Sequence, residues 1–131
     1  MKVLALDYGS ARTGVAVSDP TGTVARPLCV VERATTEAGL TELVGLAARE
    51  RVERIVVGMP VTLRGERGEQ AEETERFVEA LRAATEIPVE TFDERFTTRL
   101  AARHPGKAPE DALAAAHLLT GYLSWSTSRP A

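Results

Sequence analysis

Cysteine is nearly missing from this chain. Cys29 stands alone, which excludes an internal disulfide and any cysteine-cluster metal site, and it suits a reducing compartment. Long apolar runs are missing too: none approaches the roughly 20 residues that a membrane span needs. Met1-Lys2 leads straight into an apolar strand, so no signal peptide is expected and the cytoplasm is the expected location. There is no internal repeat, linker or low-complexity segment, and residues 1–131 are expected to form one domain. An excess of basic charge is also absent. Sixteen Lys and Arg face 19 Asp and Glu, for a net charge of −3, which excludes a uniformly basic nucleic-acid-coating surface and leaves room only for a local patch. Fourteen of the sixteen are arginine, the better bidentate partner for phosphate, although a codon bias explains the same preference.

What is present supports a packed core: 44% of residues are hydrophobic and 27% charged, outside the range of a disordered chain. Residues 2–7 are continuously apolar and read as a buried strand, and residues 13–18 (TGVAVS) as a second, with the turn residues YGSAR between them. Asp19-Pro20-Thr21-Gly22 is a further turn, and residues 23–32 make a third strand, which Pro27 assigns to a sheet edge or a bulge. Leu40, Leu43, Val44 and Ala47 then recur at helical spacing within residues 36–51. Arg54 to Gly58 is a short strand, residues 69–84 a second helix, and Pro88 to Phe92 a fifth strand. A short helix is expected from Thr97 to about Arg103, and a last one from Pro109 to about Tyr122, followed by a frayed polar tail. The order βββ-α-β-α-β-α-α implies a mixed sheet with packed helices.

Three acids stand apart from the rest. Asp7 ends an apolar strand, Glu94 follows another with Asp93 beside it, and Asp111 lies in the first turn of the last helix. Ala114, Ala115, Leu118 and Tyr122 share a helical face with Asp111, so a carboxylate occupies the stripe that packs on the sheet. Each acid has a plainer role open to it: a dipole partner for Asp111, a helix cap for Asp93 or Glu94, a turn contact for Asp7. Three core-facing acids at element ends are harder to explain separately. Carboxylates brought together repel and raise one another's pKa, and a divalent cation removes that penalty.

In order along the chain, LALDYGSARTGVAVSD, IVVGMP, VETFDERFTT and the final DALAAAHLLTGYL resemble the YqgF/RuvX family of RuvC-like, RNase H-fold nucleases over nearly the whole length. The resemblance implies an α/β RNase H-like fold whose mixed five-stranded sheet has the order 3-2-1-4-5. It implies Asp7, Glu94 and Asp111 as the catalytic, metal-binding set. It also implies a nuclease for structured nucleic acid, since family members are described as candidate Holliday-junction resolvases and as nucleases that mature the 5′ end of pre-16S rRNA. One departure is that the stretch between the TT motif and the last-helix aspartate is short, RLAARHPGKAPE, with Lys107 its single lysine.

Hydrolysis of a phosphodiester needs an activated water and charge neutralisation, which two Mg2+ or Mn2+ ions roughly 4 Å apart would supply, Asp7 bridging them and Glu94 and Asp111 holding one each. Phosphate contacts are expected from Ser10 and Arg12, from Arg64 and Arg67 in a glycine-rich loop, and from Arg95, Thr97 and Thr98. His104 and His117 have no role in this scheme, and Trp125 is expected to serve packing or a dimer contact. A homodimer is a further expectation of the fold family. Two alternatives remain: a nuclease-fold module that binds nucleic acid without cutting it, and an actin-like or sugar-kinase-type ATP-binding protein, which DYGSARTGVAVSD also resembles but which needs a second related domain.

Overall fold

The computed structural model describes residues 1–60, 68–94 and 109–128. Its elements are β1 (Val3–Asp7), β2 (Arg12–Ser18), β3 (Ala25–Glu32), α1 (Glu37–Glu50), β4 (Arg54–Met59), α2 (Glu69–Ala84), β5 (Val89–Asp93) and α3 (Glu110–Ser128). The sheet order is β3-β2-β1-β4-β5. β1, β2 and β3 are joined antiparallel, and β4 and β5 continue parallel to β1. This is the α/β topology that the resemblance implies. The helix expected over Thr97–Arg103 lies outside the described residues.

The period of two in each strand divides the core. Leu4, Leu6, Val15, Val17, Ile55 and Val57 face α1 and α2, where Leu43, Ala47, Phe77, Val78 and Leu81 close the layer. Val3, Ala5, Ala16, Val56 and Phe92 face α3, which returns Ala115, Leu118, Leu119 and Tyr122. Asp7 follows Ala5 by two residues, so β1 presents it on the α3 face. α1 begins at Thr36, whose hydroxyl accepts from the Gly39 amide at 3.1 Å, and ends on Arg51 in the left-handed region.

Pro27 is on an edge strand and beside a bulge as well. Val15 pairs with Cys29 and Ala16 with Pro27, leaving Leu28 as the extra residue. Two boundaries differ from expectation by more than one residue. β3 begins at Ala25 rather than residue 23, because the Asp19 carboxylate takes the amides of Thr23 (2.7 Å) and Val24 (2.9 Å). α3 runs through Ser128, past the expected end near Tyr122. Trp125 explains the extension: its ring lies 5.5 Å from Phe92 and 5.8 Å from Tyr122, so the last turns gain packing that a polar tail does not announce. Thr127 also donates back to the Leu123 carbonyl at 3.1 Å.

Candidate functional site

The site forms where α3 starts and where β1 and β5 end. Asp7 closes β1 and is half-buried; its register partner on β2 is Gly14. A Cβ at Gly14 would overlap the backbone carbonyl of Asp111. The first turn of α3 therefore rests directly on the strand next to Asp7, at a closeness only glycine permits. Asp111 is half-buried there, and Arg12 Nε lies 3.3 Å from its Oδ2.

The third acid reaches the same end from the other side. Leu6 pairs with Val57, and Gly58 is the next residue of β4. Glu94 stands one residue beyond β5, half-buried, and folds over Gly58: an ideal Cβ there would lie 2.9 Å from Glu94 Oε1 and 3.1 Å from its Cγ. Asp7 thus has a glycine on each neighbouring strand, one covered by the backbone of Asp111 and the other by the side chain of Glu94. The three acids share one end of one sheet face. Among the described residues no three His, Cys, Asp or Glu side chains are gathered closely enough to hold a metal ion as they stand. The donors at this end are carboxylate oxygens without thiolate or imidazole among the three, a set suited to a hard divalent cation.

The other expected residues divide into two groups. Ser10 and Arg12 are exposed beside the site, in and just after the β1–β2 turn. Arg64, Arg67, Arg95, Thr97 and Thr98 lie outside the described residues, as do His104 and Lys107. His117 is half-buried in mid-helix, and Trp125 is 38% exposed at its ring cluster.

Three features of this region were not anticipated. Gly14 and Gly58 are two; their signal was available, since a glycine inside an apolar strand marks close approach by another group. The third is Tyr8. It points to the face opposite Asp7, stacks on Phe77 (centroids 4.6 Å, 17°) and donates its hydroxyl to Glu73 Oε1 at 3.0 Å. Burial, and then the Glu73 carboxylate, push its pKa above the ordinary phenol value. Tyr8 therefore stays a donor across neutral pH and ties the end of β1 to α2.

Comparison with solved structures places this architecture in a class. Thermus thermophilus RuvC in complex with a Holliday junction substrate superimposes with a TM-score of 0.63 at 19% identity, covering 98% of this chain and 96% of that one. The chain is thus an α/β protein of RuvC-like, RNase H-like fold. The model of the RuvX Holliday junction resolvase family matches residues 1–125, and the chain belongs to that family. A Chloroflexus aurantiacus protein named "Putative pre-16S rRNA nuclease" is 42% identical, over 98% of this chain and 90% of its own length. A Halothermothrix orenii protein of the same name is 37% identical, over 95% of this chain and 96% of its own length.

Proposed function

We propose that the chain is a divalent-metal-dependent nuclease that hydrolyses phosphodiester bonds in structured nucleic acid. The observation that supports this reading is that Asp7, Glu94 and Asp111 lie toward the same end of the α3 face, the Asp111 backbone over Gly14 and the Glu94 side chain over Gly58. The 5′ end of pre-16S rRNA is the first candidate substrate, supported by the names of relatives at 37–42% identity. Branched DNA such as a Holliday junction is the second, supported by the family's description.

Asp7, Glu94 and Asp111 would be the residues that hold Mg2+ or Mn2+. Such ions, when bound, lower the pKa of an attacking water and neutralise charge on the phosphate as it is transferred. The protein residues supply placement. Arg12 and Asp111 side chains are 65% and 39% exposed, so their ion pair is worth only about 0.2–1 kcal/mol, and a substrate phosphate can draw the guanidinium away. Arg12 and Ser10 then serve as phosphate donors, and Arg64, Arg67, Arg95, Thr97 and Thr98 belong to the same proposal.

A homodimer is also proposed; sedimentation of the purified chain checks it, and a fully active monomer would remove it. No described helix is long and apolar enough to cross a membrane. The lone cysteine and the proposed substrate class support a cytoplasmic location.

The test is digestion of a pre-16S 5′ fragment, a four-way junction and single-stranded DNA, side by side, with Mn2+ or EDTA. The expected result is metal-dependent cleavage of a structured substrate that disappears in Asp7→Asn while binding persists. Binding without cleavage by the unaltered protein on all three would instead support the non-cleaving module. Cleavage undiminished in Asp7→Asn would sink the assignment of the acids.

A further inference from the structure

Gly58 sits inside the buried strand RIVVGM, where glycine costs roughly 0.5–1 kcal/mol relative to a residue with a side chain. Its backbone has no positive φ to demand glycine; that feature among the described glycines belongs to Gly22. Space is the remaining reason. At Gly14 and Gly39 an added Cβ would meet backbone, so those glycines are fixed by the fold itself. At Gly58 the three atoms nearest to it would all belong to side chains: Glu94 at 2.9 and 3.1 Å, and Leu118 Cδ2 at 3.0 Å.

β5 and β1 are separated by β4, so Glu94 starts two strand spacings, about 10 Å, from the strand that carries Asp7. Its carboxylate approaches Asp7 only by crossing β4, and it does so over Gly58. Any side chain at position 58 would stand in that lane. We propose that Gly58 is a positioning residue for the metal site: the missing side chain is the passage through which Glu94 reaches the shared centre. This rests on the reading of Glu94 as a metal-binding acid.

The experiment is a double-mutant cycle of Gly58→Ala and Glu94→Ala, read by calorimetric titration of the whole protein with Mn2+ alone, without substrate. Gly58→Ala is expected to weaken Mn2+ binding about 10- to 100-fold, the range for disturbing groups that orient metal ligands. In the Glu94→Ala background the same change should add nothing. A urea midpoint in EDTA monitors the fold, and Leu118→Ala is added to Gly58→Ala to relieve the second contact. Leu118→Ala lowers the midpoint by its own cavity, so the double variant is compared with Leu118→Ala alone. The expected result is that Mn2+ binding stays weak in the double variant although the Leu118 contact is gone. Unchanged Mn2+ affinity in Gly58→Ala, or an equal loss in both backgrounds, overturns the proposal. If Glu94→Ala itself leaves Mn2+ binding intact, the reading of Glu94 falls first and this inference falls with it.

Discussion

Under α1 and α2 the sheet presents Leu4, Leu6, Val15, Val17, Val31, Ile55 and Val57; under α3 it presents Val3, Ala5, Gly14, Ala16, Val56 and Gly58. Near the acids α3 answers with small residues of its own, Ala112, Ala115 and Ala116, and brings its large ones, Leu118, Leu119 and Tyr122, in its later turns. Each methylene withdrawn from water is worth about 0.8 kcal/mol, so the large-residue face contributes more stability per position. The small-residue face gives up that area and gains closeness, which is what lets the first turn of α3 lie on Gly14 beside Asp7. Both faces hold the domain together, and the small-residue end of the α3 face also sets how closely the acids can lie.

Substitutions on the two faces should therefore separate stability from chemistry. Gly14→Ala is expected to have the largest effect. The new methyl has backbone in its way, so α3 must move off the sheet, costing about 3 kcal/mol or more, the upper end of overpacking penalties. Cleavage should be lost even under conditions where circular dichroism still reports a folded chain. Leu43→Ala, on the opposite face, should cost about 2–5 kcal/mol in urea denaturation, as buried leucines do. Cleavage per folded molecule should then be unchanged. If Leu43→Ala abolished cleavage well below its melting temperature, the division between the faces would be wrong. Arg12→Gln has a smaller effect, on binding: the slope of log K against log salt should shrink by about one, reporting one lost phosphate contact. An unchanged slope would remove Arg12 from the interface.

The same contrast governs how much was legible in the sequence. The strands facing α1 and α2 announce themselves as apolar runs, and Pro27 marked an edge or a bulge on a strand that has both. Asp7 and Asp111 were conspicuous because a carboxylate on an apolar stripe violates its own pattern. The strand order was not legible from periodicity, which carries no information about lateral neighbours; it came from the family resemblance. Gly14 and Gly58 looked like weak points in strands, because nothing local says what crosses over a glycine. The end of α3 was misjudged for a related reason: Ser126, Thr127 and Ser128 read as the start of a tail, while Trp125 finds Phe92 on β5. In each case the missing information was a partner distant in sequence.

Tyr8→Phe gives the smallest expected effect and sharpens the comparison most finely, because residues 7 and 8 are adjacent and face opposite ways. Removing the hydroxyl deletes the bond to Glu73 while keeping the ring on Phe77, a loss of about 0.5–1.5 kcal/mol. Metal affinity, which belongs to the Asp7 side, should not change. The pH dependence adds an independent check. Folding raises the Tyr8 pKa above 10.0, so above that pH the unfolded chain gives up this proton before the folded one does. The folded state then holds more protons, and stability falls as pH rises through that window. Below it, the contribution of Tyr8 is constant. Tyr122 shifts in the same direction, chiefly from burial, so Tyr8→Phe should flatten the alkaline loss only in part. A metal affinity that fell with Tyr8→Phe would show that α2 acts on the acids through β1, and the two faces would have to be treated as coupled.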